Sequence, residues 1–246
     1  MAQMITVTGT TLPEAYTKSL IALHENNIQQ KGYRECSICI NVLEPLKEPR
    51  ISKLMFGGPY DLERYCQEML DGVLDFEVES GNWVYTYHAR FAPYLQNCID
   101  LLKADHSSRR AIIAIRDNDV DFHTDDPACL QSIAYYIREG KLDCHVLFRS
   151  NDAAKAAFMN MFALVRLQEY VAEQVGVPVG TYQHVAFNYH VYARDDELLE
   201  GYIAQINSGR TLYYDYEDDW KDLMEEERPR VAALVADLKK KAGIAE

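Results

Sequence analysis

Apolar positions along the chain follow two rhythms, one helical and one alternating. Over 11–30, Ala15, Leu20, Ile21 and Leu23 fit one stripe of a helix, with Pro13 near its start. Gly32 is expected to end that helix, and residues 36–43 read as a strand. A second helix is expected over 60–74, where Tyr65, Met69 and Val73 repeat every four residues and Leu62 supports the same side. Residues 82–91, NWVYTYHARF, alternate and read as a strand or as a turn with a strand, dense in rings. A helix over 95–104, a strand AIIAI and a charged loop over 116–126, read as solvated, follow. Further on come an amphipathic helix over 153–174, a turn over 176–180 and a strand over 181–192. A helix over 195–206, an acidic run read as a solvated face, and a final helix ending in three lysines complete the pattern.

The chemistry concentrates in 127–160, PACLQSIAYYIREGKLDCHVLFRSNDAAKAAFMN. Two apolar strands joined by a Glu-Gly turn make a hairpin. Cys129 opens the first strand and Arg149 closes the second, so the pairing brings together a thiol and a guanidinium twenty residues apart. An adjacent cation favours the thiolate, and a thiolate is a nucleophile. Arg149 beside Ser150 at a helix start also suits a phosphate. Covalent attack on a phosphorylated substrate is the combination these residues suggest.

The net charge of −13 argues against a nucleic-acid polymer as partner, but not against a mononucleotide held in a pocket of a few arginines. An apolar content of 48% supports a buried core, and with no Pro/Gly/Ser-rich linker the 246 residues are expected to form one domain. Residues 1–9 do not read as a signal peptide and no apolar run approaches a membrane span, so a cytoplasmic protein is expected. The six cysteines are not a disulfide framework. Cys36 and Cys39 lie within a strand, with no second pair at metal spacing, and no metal is expected.

Other residues have chemistry that suits such a substrate. Glu68 lies next to the apolar stripe of its helix, not opposite it, and so points toward the protein or a cleft. Asn160 offers a donor and an acceptor together, which matches O4 and N3–H of uracil; the alternative is a capping or surface amide. His190 and Tyr192 lie two apart on a strand, on one face, and suit a sugar hydroxyl. Tyr182 and His184 alternate likewise without belonging to a motif.

Cys129, the run Arg149-Ser150-Asn151-Asp152, Asn160 and His190-Val191-Tyr192 resemble, in order and spacing, the signature of the thymidylate synthase family, including its nucleotide hydroxymethylase branch. The resemblance is strongest from about Arg109 to Asp195 and continues more weakly to Gly32. It implies an α/β (α+β) fold with a mixed sheet flanked by helices, and a homodimer packed sheet to sheet. It implies that Glu68, in Glu68-Met69-Leu70, moves protons through water and that Tyr85 lies in the catalytic cleft. It casts Arg109 and Arg110 as arginines that reach the partner's phosphate, and Asp152 as a contact to the pterin of 5,10-methylenetetrahydrofolate. Arg34 reads either as a strand-edge cation or as the family's mobile phosphate arginine, with Arg50 a second candidate. Two departures stand out. The family's Trp after the Glu-x-Leu is Asp71 here, and its C-terminal closing segment is not recognisable in KKKAGIAE.

The implied reaction adds the Cys129 thiolate to C6 of a pyrimidine nucleotide, activating C5 toward a one-carbon unit. Asn160 favours dUMP, hence dTMP as product. Arg149-Ser150-Asn151-Asp152 reads like the hydroxymethylase version of the motif, which keeps a 5-hydroxymethyl product from dUMP, dCMP or CMP open. A catalytically inactive nucleotide-binding relative is the non-enzyme alternative.

Overall fold

The structure is a computed structural model that describes residues 3–244. Met1, Ala2, Ala245 and Glu246 lie outside it, and with them the ends of the expected 1–246 domain and of KKKAGIAE. Its centre is a mixed sheet in which the strands over 5–9, 33–42, 179–192, 141–148, 130–138 and 112–114 lie side by side in that order, with helices against its buried face.

Strand β1 (Ile5–Gly9) leads into α1 (Leu12–Asn26). The helix stops four residues earlier than its pattern suggests. Asn26 and Asn27 donate side-chain bonds back to the carbonyls of Ala22 and His24, at 3.0 and 2.9 Å, and close the last turn. Residues expected as helix instead form the short strand β2 (Ile28–Gln30), which pairs antiparallel with β3 (Tyr33–Val42). Gly32, at φ +90°, is the turn between them, not a helix end. Along β3 every second residue, from Arg34 to Val42, is buried.

After β4 (Ile51–Ser52) comes α2 (Pro59–Asp71), where Asp61 accepts from the Gly58 N–H at 2.9 Å. Gly72 ends α2 at φ +62°, where a Cβ would lie 2.2 Å from His88 Nδ1; only glycine fits. A one-turn helix, α3 (Phe76–Glu79), precedes α4 (Tyr87–Ala104). The expected strand over 82–91 is therefore overturned. Thr86 accepts the Ala89 N–H at 3.0 Å and starts a helix at Tyr87, so the rings of 83–87 line a loop and a first turn.

Strand β5 (Ile112–Ala114) forms the sheet edge. The loop beyond it is not wholly solvated. It holds α5 (Asn118–Asp121), and the buried Asp121 carboxylate takes two bonds from Arg90, both 2.8 Å. Next is the hairpin of β6 (Leu130–Arg138) and β7 (Lys141–Phe148). Its turn is Glu139 at φ +50° and Gly140 at φ +73°, the left-handed pair that matches strand twist.

A short strand β8 (Asn151–Asp152) and a turn lead to α6 (Ala157–Val175), which starts four residues later than expected. The Asp152 carboxylate holds that turn, accepting from the N–H groups of Ala154 and Lys155 at 3.0 Å each. Strand β9 (Val179–Tyr192) runs parallel to β7 and antiparallel to β3. Its register with β3 slips between Ala186 and Tyr189. The bulge puts Tyr189 and Val191 into the core and turns His190 and Tyr192 to the other face.

The chain ends with α7 (Asp196–Asn207), β10 (Tyr213–Tyr214), a wide turn over Tyr216–Trp220 and α8 (Lys221–Lys241). The acidic run is only half a solvated face: Glu217, Asp218 and Asp219 are exposed, whereas Tyr216, Trp220 and Met224 are buried. No helix among the described residues is long and apolar enough to cross a membrane.

Candidate active site

The hairpin brings Cys129 and Arg149 together as the sequence implies: the Arg149 N–H donates to the Cys129 carbonyl at 2.9 Å. The guanidinium is turned partly to other work. Its Nε donates to the Ala128 carbonyl at 3.0 Å and an Nη to the Pro127 carbonyl at 2.6 Å. Burial pushes the Cys129 thiol up, and the opposing pull of Arg149 does not overcome it. The expectation of a lowered thiol pKa is thus corrected for the free protein, because the cost of burying a thiolate outweighs the pull of the guanidinium.

Tyr87 has no role in the alternating pattern of 82–91; it gains one because the segment starts a helix. Tyr87 opposes, weakly, the rise that burial imposes on the Cys129 thiol pKa, and its hydroxyl accepts the Leu130 N–H at 3.3 Å. The Tyr85 ring lies 5.6 Å from it. Both tyrosines line a cavity of ≈ 410 Å³ together with Glu68, Trp83 and Asp126. Tyr87 thus belongs both to the start of the Cys129 strand, through Leu130, and to the cavity of the carboxyl. Burial raises the Glu68 pKa, with Arg64 opposing and Asp75 adding to it. A carboxyl so placed keeps its proton to higher pH and can donate it.

Arg90 fixes this wall, with its guanidinium over the Tyr85 ring at 4.6 Å while it holds Asp121. His88 bonds the Asp75 carboxylate at 2.6 Å, and Thr86 bonds the other oxygen.

Asn160 is 6% exposed in the first turn of α6, neither cap nor surface amide. Its Oδ1 accepts from Asn151 Nδ2 at 2.8 Å and its Nδ2 donates to the Tyr65 hydroxyl. An amide so bonded keeps one lone pair and one N–H for a ligand. Tyr65 had read as a plain core position; it lies near Glu68 and Tyr85, each of which helps burial push its pKa up. Helix α6 is placed for this by the Tyr16 hydroxyl, which donates to the Ala153 carbonyl at 2.9 Å ahead of it.

His190 and Tyr192 share a face, their rings 4.8 Å apart, and Ser150 Oγ lies 3.3 Å from His190 Nδ1. Asp152 pairs with His190 between β8 and β9. Its Oδ1 is occupied by the turn, and no hydrogen bond reaches its Oδ2 among the described residues.

The N-terminal arginines are not part of this cluster. Arg34 is 9% exposed on the core face of β3, with its Nε 2.9 Å from Asp196 and an Nη 2.8 Å from Glu200 on α7. Its guanidinium is committed to α7, which corrects its reading as a phosphate ligand. Arg50 is likewise held by Glu48 and Glu217, at 2.8 and 2.7 Å, and stacks on Tyr216. Arg50 and Asp71 line a larger cavity of ≈ 670 Å³ with Arg166 and Tyr216, in a different place from Cys129. Arg109 and Arg110 are exposed just before β5 and form no ion pair among the described residues.

The sequence matches the family model described as "Thymidylate synthase" over residues 71–224. A protein of Methanocaldococcus jannaschii named "Putative thymidylate synthase" is 32% identical over 178 residues, covering 67% of this chain and 80% of the relative. A Methanopyrus kandleri protein of the same name is 32% identical over 167 residues, covering 61% and 79%. The solved structure of thermostable thymidylate synthase A from Bacillus subtilis superposes with a TM-score of 0.65 at 17% identity, over 84% of this chain and 87% of that one, a likeness of fold. The fold and the family match together identify this chain as a member of the thymidylate synthase family.

Proposed function

We propose that the chain transfers a one-carbon unit to C5 of a pyrimidine nucleotide, with dUMP as substrate and dTMP as product. The observation that carries this reading is Tyr87, which holds the Leu130 N–H next to Cys129 and lines the cavity of Glu68. Nucleophile and proton donor thereby share one aromatic-walled site.

Each residue has a task that its surroundings support. Cys129 Sγ adds to C6 of the base, and the electron pair moves toward O4. Glu68, its pKa raised by burial, supplies a hydrogen bond or proton at that oxygen. Asn160 meets O4 and N3–H with the lone pair and N–H its neighbours leave free. His190 and Tyr192 take a sugar hydroxyl. Ser150 and the uncommitted donors of Arg149 take phosphate oxygens, each such contact worth about 1.5–3 kcal/mol. Arg109 and Arg110, exposed and unpaired among the described residues, complete the phosphate site of a second copy in a homodimer.

The residues fit 5,10-methylenetetrahydrofolate as cosubstrate: Trp83 and Tyr85 offer ring faces, and Asp152 Oδ2 has no partner among the described residues. That group, when bound, supplies the one-carbon unit and, for a methyl product, the hydride. One catalytic unit spans the chain in this reading. The described cysteines are all free, which suits a reducing cytoplasm.

One observation favours 5-hydroxymethylation as a second reading. Where the family has a Trp, Asp71 is an exposed carboxyl, so the helix that carries Glu68 lacks an apolar ring that would exclude water. Mass spectrometry of the nucleotide after incubation with dUMP or dCMP and methylenetetrahydrofolate separates the readings. A methylated product with stoichiometric dihydrofolate supports dTMP synthesis. A hydroxymethylated product without dihydrofolate supports the second reading. No product from either base, with binding retained, leaves a nucleotide-binding protein without turnover.

A further inference from the structure

Behind Asn160 runs a chain of buried polar side chains. Tyr182 and His184, both 0% exposed, project from the core face of β9. The Tyr182 hydroxyl lies 3.0 Å from His184 Nδ1, and His184 Nε2 lies 3.0 Å from Asn151 Oδ1. Asn151 Nδ2 then bonds Asn160 Oδ1 at 2.8 Å, and Asn160 Nδ2 bonds the Tyr65 hydroxyl. Phe148 stacks on the imidazole at 4.6 Å and 16° and holds the ring in plane.

Either amide could be turned over, and its partners decide which way it faces. Reversing every bond would leave each link between neighbours intact, so the direction must be set at an end. It is set at Tyr182, which is fully buried and whose hydroxyl has no partner but His184 among the described residues; Tyr65, at the other end, is only half-buried and lies near Glu68 and Tyr85 of the cavity, where its proton can meet solvent or ligand. In the reversed chain that hydroxyl would accept from Nδ1–H, and its own proton would be buried without an acceptor. That arrangement is disfavoured by roughly tenfold or more. In the forward chain Tyr182 donates to Nδ1 and Nε2–H donates to Asn151. The imidazole stays neutral, as this requires, because burial lowers its pKa to about 3.

A 4-keto pyrimidine presents an acceptor at O4 beside a donor at N3. A 4-amino pyrimidine presents a donor at N4 beside an acceptor at N3. The patterns are opposite, and one amide turned over matches each in turn. We propose that Tyr182 and His184, acting through Asn151, hold the Asn160 amide in one orientation and so make the site select a 4-keto over a 4-amino pyrimidine. Both are positioning residues. The inference rests on the nucleotide reading above.

The test is equilibrium binding of dUMP and dCMP to the full chain and to Tyr182→Phe, His184→Phe and His184→Gln, with thermal unfolding of each. The unaltered protein should prefer dUMP. Tyr182→Phe, which removes one oxygen and lets both orientations coexist, should lower the dUMP-to-dCMP affinity ratio about tenfold. His184→Phe should do the same. His184→Gln should restore the ratio, since its amide can accept from Tyr182 and donate to Asn151. Parallel weakening of both nucleotides in Tyr182→Phe, with the ratio unchanged, would overturn the inference and leave the nucleotide reading standing. Unaltered protein that binds neither nucleotide would overturn both.

Discussion

The Arg149 amide donates to the Cys129 carbonyl at 2.9 Å while the Arg149 guanidinium donates to the carbonyls of Pro127 and Ala128. The register thus delivers a cation to the nucleophile without making the thiol acidic. Burial dominates and raises its pKa above the ordinary 9.0. A raised pKa means less thiolate at neutral pH, so alkylation of free Cys129 by iodoacetamide should be slow at pH 7 and rise through the alkaline range. Its midpoint, read by peptide mass spectrometry, should lie above that of an ordinary thiol. A midpoint below it would restore the activated-thiolate picture. Cys129→Ser should retain dUMP binding while turnover falls by ~10³-fold or more.

Arg34 and Arg109 make opposite predictions. Arg34 is buried between β3 and α7 and paired with Asp196 and Glu200, both partly exposed. Arg34→Ala should cost about 1–2 kcal/mol in urea unfolding and leave the dUMP dissociation constant within about twofold. Arg109→Ala should change stability little and weaken dUMP, with a shallower salt dependence. Loss of nucleotide affinity in Arg34→Ala at unchanged stability would return that residue to the phosphate site.

Asn160→Asp replaces an N–H that donates to Tyr65 with a carboxyl, among buried neighbours that favour its protonated form. A protonated carboxyl suits N3 and N4–H of cytosine. The expected result is an affinity for dUMP lower by about ten- to a hundredfold and an improved affinity for dCMP, read by titration of both nucleotides. An unchanged order of preference would remove Asn160 from the base site.

The hairpin was legible because it is local. Alternation fixes two strands, Glu139-Gly140 supplies their turn, and pairing alone then brings Cys129 to Arg149. His190 and Tyr192 share a face for the same reason. Tyr87 was not legible, because a Thr86 side chain that caps a helix overrode an alternating pattern of rings. The fate of Arg34 was not legible either. Its partners lie more than 160 residues away on α7, and no local pattern states which strand face a distant helix will cover. Asn151 and His184 have no role of their own in the sequence because each looks ordinary alone; their chemistry exists only once β8 and β9 meet.

His184 should also leave a mark on the pH dependence of stability. Its folded pKa of about 3 lies well below the ordinary 6.5. Between those values the unfolded chain binds the proton and the folded one does not, so stability rises with pH through that window. The contribution is complete above pH 6.5 and is lost as pH falls toward 3. At pH 5 the difference from neutrality amounts to about 2 kcal/mol from this one side chain. His184→Gln keeps an amide that can make both bonds and cannot titrate. Urea unfolding at pH 5 and pH 7 should therefore show a gap in the unaltered protein that is smaller by about that amount in the variant. Equal gaps in the two proteins would mean that His184 takes up its proton in the folded state, and the neutral imidazole that directs Asn151 would be lost with it.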